Sequence, residues 1–355
     1  MIPNPGALQP LVAAERLESV SPTTAARPTH AGVVDAVRGA RWRSTIVWVA
    51  MVSAGLALPL LLTDRSMGLA IDAAIFGLFA LSMGLLIRQS HTISLGHAAF
   101  YGGAAYTVGV ATTRWGWDAH VAAITAVGVA VALSVLVGAV AVRLPGISLA
   151  MVTLAFAQGL YLLIVQPSSR ELTGGLDGFS LTFDRFLWFE GRETTDVAFW
   201  PVVWITVIVC ALAISLLRRS RFGTLLEAIR DNEERARFCG YRTWWPRVAV
   251  FAMSGAIAGL AGVLFAFHYA FVAPSSAYWI TTAFGLIAAL IGGTGSTAGP
   301  LLGALVYVVA QDRLATSGDA TLYLGLVFVI VVVFAPAGLA GLASRRWTRF
   351  IRRSR

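Results

Sequence analysis

The feature that most constrains this chain is a series of uncharged apolar runs, each long enough to cross a bilayer. A helix needs about 20 apolar residues to span the hydrocarbon, where only a segment that satisfies its own backbone is tolerated. Six runs meet that length without a charge: 44–63, 119–142, 146–169, 197–217, 248–276 and 320–344. A seventh, 66–87, carries a single acid, Asp72. Composition agrees, with 57% hydrophobic and 13% charged residues and a mean hydropathy of +0.75. A soluble domain has about 25% charged residues. That deficit excludes a soluble enzyme, a disordered chain and a secreted disulfide scaffold. The expected fold is all-α: a polytopic transmembrane helix bundle of about 8–10 spans, some of them broken or re-entrant.

Two stretches are unsuited to a simple span. Residues 89–113 are uncharged but interrupted by Gly96, Gly102, Gly103 and Gly109. Residues 277–311 are uncharged for too long to be one helix and break at Gly292-Gly293-Thr294-Gly295-Ser296-Thr297-Ala298-Gly299-Pro300. Glycine and proline do not hold a helix through such a segment. Irregular backbone at membrane depth survives only inside protein or along a water-filled path, and paired interruptions of this kind point to a transport path.

Charge sets the topology. All 27 basic residues are arginine, and the formal net charge is +9. With the N-terminus inside and ten crossings, the cytoplasmic segments hold most of the arginines, including Arg41, Arg43, Arg88, Arg143, Arg218, Arg219, Arg221 and the 345–355 tail. The external segments hold only Arg65, Arg114, Arg170, Arg185, Arg192 and Arg313. This asymmetry favours cytoplasmic termini and an even number of crossings, and it reflects topology rather than nucleic-acid binding. The Pro/Ala/Thr/Ser-rich residues 1–43 have no signal-peptide core and are expected to form a disordered cytoplasmic tail. Residues 44–344 form the membrane domain, with an external loop at 170–196 and a cytoplasmic loop at 218–247. Residues 345–355 form a basic cytoplasmic tail.

The cytoplasmic loop predicts a short amphipathic helix over 224–238. Thr224 and Glu227 form a capping box, Gly240 stops the helix, and Asp231–Arg235 and Glu233–Arg237 are supporting ion pairs. Leu225, Leu226, Ile229 and Ala236 supply an apolar stripe, which reads either as the inner face of a solvated surface helix or as a docking face for a cytoplasmic partner. The stretch 94–106 concentrates Ser94, His97, Tyr101, Tyr106 and several glycines at membrane depth, fitting close packing on one face and a path lining on another. Gly255-x-x-x-Gly259 and Ala258-x-x-x-Gly262 are packing signals. Asp72 either lines a path or reaches the external interface. The sequence offers no catalytic residues: nucleophile–base pairs, paired carboxylates and metal-ligand spacings are all lacking, and Cys210 and Cys239 are structural. With no lysine anywhere, a Walker-type phosphate loop is impossible, so any ATP is hydrolysed by another chain.

These residues carry a resemblance. Ser94-Leu95-Gly96-His97-Ala98-Ala99-Phe100 with Gly103-Ala104-Ala105-Tyr106, and Met151-Val152-Thr153-Leu154-Ala155-Phe156-Ala157-Gln158, resemble the permease subunits of branched-chain amino acid ABC importers. So do Thr173-Gly174-Gly175-Leu176-Asp177-Gly178, Arg221-Phe222-Gly223, Ala228-Ile229-Arg230-Asp231-Asn232-Glu233 and Ser254–Gly262, and the pattern closes with Gly292–Ser296 and Gly299-Pro300. The resemblance runs through residues 66–338 and is closer to the LivM-type subunit than to its LivH-type partner. It departs at Arg88-Gln89-Ser90-His91-Thr92, where many relatives carry a glycine-rich turn, and in residues 1–43.

The resemblance implies a non-catalytic permease half that pairs in the bilayer with a second, LivH-type permease. Two cytoplasmic ATPase subunits and an external solute-binding protein complete such importers. This chain would bind no cofactor, ATP and magnesium being used by the ATPases. Ser94, Gly96, His97, Phe100, Gly103, Tyr106, Thr153, Gln158, Thr294 and Gly295 would line or brace the path. Thr173, Gly174, Gly175, Asp177 and Gly178 would lie on the binding-protein side. Arg221, Phe222, Gly223, Glu227, Ala228, Arg230, Asp231, Asn232 and Glu233 would couple to an ATPase. The substrate implied is a branched-chain amino acid, with urea or a short amide as the alternative. A stand-alone secondary transporter or channel is a further alternative, but it would need more buried ionisable groups than Asp72 alone.

Overall fold

A computed structural model describes residues 62–183, 185–187, 189–190 and 196–314, with isolated positions at 52, 53, 55, 57–59, 325, 326, 338 and 339. The tails 1–43 and 345–355 and most of the runs 44–63 and 320–344 lie outside the described residues. Among the described residues, ten helices of six residues or more carry the fold: α1 (Asp64–Ser90), α2 (His97–Thr113), α3 (Ala119–Ala141), α4 (Gly146–Val165), α5 (Asp196–Arg219), α6 (Arg221–Asp231), α7 (Glu233–Phe238), α8 (Trp244–Tyr269), α9 (Trp279–Gly292) and α10 (Ala298–Leu314). Among the described residues α1, α3, α4, α5 and α8 are long and apolar enough to cross a membrane. The β structure is minor: β1 (Phe179–Ser180) pairs with β4 (Phe271–Val272), and β2 (Arg185–Phe186) with β3 (Phe189–Glu190).

The layers follow from side-chain size. Helices α1 and α8 are mostly buried, whereas α3, α4 and α5 turn Ile124, Leu136, Ile147, Met151, Leu163 and Val209 outward, as a lipid-facing surface allows. The predicted small-residue motif on α8 packs as expected. A Cβ on Gly255 would strike Ser134, one on Gly259 would strike Ala130, and one on Gly262 would strike the Tyr101 carbonyl. Removing those side chains lets α3 and α2 approach α8 closely.

The structure moves several expected boundaries. Residues 89–113 are not one interrupted span. Helix α1 runs on to Ser90, residues 91–96 are irregular, and α2 begins at His97 and stays continuous through Gly102, Gly103 and Gly109. Gly102 and Gly109 sit where Ala277 and the Phe179 ring press on the helix, so they mark close approach and not breaks. The run 248–276 is helical only to Tyr269; Ala270 turns left-handed (φ 46°) and the chain continues through β4 and a 3-10 turn at Pro274–Ala277. The 277–311 break falls where expected, between α9 and α10, and Gly293 (φ 90°) opens it. At 14 residues α9 is about 21 Å long, shorter than the hydrocarbon, and its entry segment lies beside the middle of α2.

The connections gather at two ends. One end holds the α1 C-terminus, the α3–α4 turn, α6, α7 and the α9–α10 turn: Arg230 donates to the Arg88 carbonyl (3.0 Å), and Arg143 stacks on Trp244 (5.2 Å). The opposite end pairs Arg65 with Asp312 (3.4 Å) and joins Leu181 N–H to the Ala270 carbonyl (2.8 Å). Most of the described arginines lie at the first end.

Candidate translocation site and coupling face

The start of α2 lies inside the bundle, where its free N–H groups need partners. Three side chains provide them. Leu95 N–H donates to Thr153 Oγ1 of α4 (3.0 Å), Gly96 N–H to Ser94 Oγ (3.3 Å), and Ala98 N–H to Thr282 Oγ1 of α9 (2.8 Å). Ser94, Thr153 and Thr282 are all buried. Gly96 lies so close to the Thr153 carbonyl that a Cβ would overlap it. The irregular segment is reached through His91, which takes the left-handed conformation (φ 49°) that a glycine adopts more cheaply.

His97 is fully buried and ties three helices together. Its Nε2 lies 2.7 Å from Ser254 Oγ, and Ser254 Oγ donates to the Ser82 carbonyl (2.6 Å). The serine has one proton, and the carbonyl takes it, so His97 donates from Nε2. Its Nδ1 is then an acceptor, and no partner meets it among the described residues. Phe100 is buried beside it, with ring contacts to His97 (5.5 Å) and Phe251 (5.9 Å). Gly103 faces Leu133 and Leu160. Farther along, the Tyr106 hydroxyl and Gln158 Oε1 are buried without a partner among the described residues.

Thr294 and Gly295 are placed elsewhere, at the end of the bundle. The Arg88 guanidinium donates to the Thr294 (3.3 Å) and Gly295 carbonyls there. Helix α9 links the two breaks, with Thr282 capping α2 near its start and the arginine-held turn following its end.

The 173–178 loop is built by its glycines. Gly174, Gly175 and Gly178 all have positive φ (75°, 63° and 67°), a conformation costly for other residues. Thr173 Oγ1 donates to the Ile164 carbonyl (2.6 Å), Arg170 pairs with the exposed Asp177 (3.2 Å), and Gly178 brings the chain against Val272.

The coupling segment is two helices, not the expected single one. Ser220, and not Thr224, caps α6, accepting from Gly223 N–H (3.1 Å); Asn232 breaks the helix and caps α7, accepting from Arg235 N–H (2.8 Å). The break displaces one expected ion pair: Asp231 pairs with Arg230 (2.8 Å) instead of Arg235. Glu233–Arg237 forms as predicted (2.6 Å), and Gly240 is left-handed as predicted (φ 85°). The apolar stripe faces inward. Leu226, Ile229 and Ala236 are buried, while Arg221, Ala228, Asp231, Asn232 and Phe238 remain on the exposed side. Phe222 and Glu227 are half-buried, and Gly223 packs on the Leu217 carbonyl. Burial works to raise the Glu233 carboxyl. The hydrogen bond from Thr243 (2.9 Å) and the charges of Arg247 (2.9 Å) and Arg237 outweigh it and hold the group below the usual carboxylate range.

One feature escaped the sequence: a cavity of about 400 Å³ between α1, α2, α8, α9 and α10, with Asp72 in its wall. Asp72 was visible as the lone acid of its span. Its partner Tyr269, whose hydroxyl donates to it at 2.8 Å, is remote in sequence and carried no signal of its own. Among the described residues no cluster of metal-ligating side chains is present.

A multi-pass bundle with a helix start buried inside it and an arginine-bearing segment docked on its end is the architecture of a transport permease. Residues 66–336 match the family described as the permease component of the branched-chain amino acid transport system, and the chain belongs to that family. It is similar to the high-affinity branched-chain amino acid transport system permease protein LivM of Escherichia coli K12, at 27% identity over 330 residues, covering 86% of this chain and 77% of that one. The LivM of Salmonella typhimurium LT2 matches equally. The autoinducer 2 import system permease protein LsrC of Yersinia pestis is 31% identical over 179 residues, covering 46% of this chain and 45% of its own. No solved structure matches. The chain is thus a permease component of an ABC-type transporter, a multi-pass protein of the bacterial inner membrane that assembles with other subunits.

Proposed function

We propose that this chain forms half of the translocation path of an importer for branched-chain, hydrophobic amino acids. A second related permease lies beside it, two ATPase subunits dock on the arginine-rich end, and a solute-binding protein docks on the opposite end. Both termini are cytoplasmic on this reading. The chain does no chemistry itself; ATP and magnesium belong to the ATPases.

One observation carries the coupling part of this reading. Arg230 of α6 holds the Arg88 carbonyl, and Arg88 holds the Thr294 and Gly295 carbonyls. A load on α6 is thereby transmitted to the ends of α1 and α9, and α9 carries Thr282, the cap of the buried α2 start. A rigid helix bonded at both ends moves as a unit, which alternating access requires. The exposed face of α6 and α7, rather than its apolar stripe, is the docking face.

The test is uptake of radiolabelled leucine against urea and autoinducer 2 by proteoliposomes of the complete complex. Leucine uptake driven by ATP and abolished without the binding protein is expected. Urea or autoinducer 2 uptake with leucine excluded would overturn the amino-acid assignment.

A further inference from the structure

The cavity between α1, α2, α8, α9 and α10 has the electrostatics of a cation site. His268 stands between two carboxylates, its Nε2 3.7 Å from Asp72 and its Nδ1 3.9 Å from Asp196. One imidazole carries at most one positive charge, so with both carboxylates ionised this group is net negative in either protonation state of the histidine. No basic side chain lines the cavity among the described residues, and the acid at its mouth, Asp312, is already paired with Arg65 (3.4 Å). An uncompensated charge at membrane depth is costly and calls for a counter-ion.

The walls fit that counter-ion. Four aromatic rings line the cavity, those of Phe76, Tyr101, Phe284 and Tyr307, and an aromatic wall suits an ammonium that carries an apolar body. Phe76 and Tyr307 stack at 5.0 Å, which fixes their orientation. Tyr101 and Tyr307 are each only 5% exposed and line the cavity, yet neither hydroxyl has a hydrogen-bond partner among the described residues. A hydroxyl left unpaired on a cavity wall is free to meet a ligand or water there. Asp72 retains acceptor capacity beyond its bond from Tyr269.

We propose that this cavity binds the ammonium end of a small apolar amine or amino acid, with Asp72 as counter-ion and the Tyr101 and Tyr307 hydroxyls as the remaining polar contacts. The apolar body of the ligand lies against Phe76, Phe284 and Val308. The proposal rests on the reading of this bundle as the transporting subunit.

The test is isothermal titration of the full-length chain in lipid nanodiscs with leucine, isopentylamine and the uncharged isopentanol. At least one of the first two binds, and isopentanol binds about tenfold more weakly or worse. Leucine binding marks an amino-acid site, and isopentylamine alone an amine site. Asp72→Asn weakens binding about tenfold or more, Asp72→Glu stays within about threefold, and Tyr307→Phe weakens it severalfold. Equal binding of alcohol and amine, no binding of either amine or leucine, or an unchanged D72N titration overturns the proposal. If D72N does not fold, the amine-to-alcohol ratio and Y307F decide. Leucine uptake by the complex with unchanged D72N binding would sink this site alone. Charge-dependent binding here, together with urea uptake by the complex, would sink the amino-acid assignment and leave the site standing.

Discussion

Single residues hold the α2 start in place, and the balance of donors and acceptors decides what their loss costs. Ser254 is both acceptor for His97 and donor to the Ser82 carbonyl. Ser254→Ala leaves the His97 Nε2–H unpaired in a dry interior, a loss of about 1–3 kcal/mol. The thermal midpoint of the purified chain is expected to fall accordingly, and an unchanged midpoint would refute the network. His91→Gly should do the opposite, because the left-handed conformation (φ 49°) costs a residue with a Cβ about 1–2 kcal/mol. An equal or higher midpoint is expected there. The sequence made His91 visible only as a departure from the glycine-rich turn that the resemblance implies; its conformation is one that glycine adopts more cheaply.

At the scale of elements, α6 and α7 show how local signals compete. Thr224 and Glu227 made a sound capping box on paper, but Ser220 took the N-cap because the chain leaves α5 there and Gly223 packs on the Leu217 carbonyl. Asn232 broke the helix by capping the next one, which no periodicity signals. Glu233 then gathers Thr243, Arg237 and Arg247. Its carboxyl titrates below the ordinary range, so the stabilisation is present at and above the ordinary glutamate pKa and is lost as pH falls through the depressed value. A spin label on the exposed Cys239, Cys210 being buried, should gain mobility as pH is lowered through that window. In Glu233→Gln the label should be mobile already and insensitive to pH; a pH response that survives this change would remove Glu233 from the explanation. Arg230→Ala should leave ATPase subunits bound and hydrolysing while uptake falls severalfold, since it cuts the bond to the Arg88 carbonyl and leaves the exposed docking face intact.

For the whole molecule, packing density distinguishes glycines that look alike in sequence. Gly262→Val would drive a side chain into the Tyr101 backbone and should lower the yield of folded protein sharply, overpacking against backbone costing several kcal/mol. Gly128→Val, where nothing lies within 4 Å, should fold normally. Similar losses in both would show that the α2–α8 contact is not what the small residues provide. Orientation is tested by thiol labelling: an impermeant maleimide should reach Cys239 only from the cytoplasmic side, and a cysteine placed at the exposed Leu176 only from outside. Labelling of both from one side would overturn the two-ended arrangement.

The five spans among the described residues, the α9–α10 break and the α8 packing motif were legible in the sequence, because hydropathy and small-residue spacing are properties of a segment by itself. Family membership was legible too, in a series of ordered motifs. What the tertiary structure alone decided was every partnership across sequence: which side chains cap α2, which arginine holds which carbonyl, and that Asp72 meets His268 and Tyr269 inside a cavity. Such contacts depend on where helices cross. In a bilayer the apolar patterning that writes the spans leaves those crossings to packing, since lipid and helix interior are equally apolar.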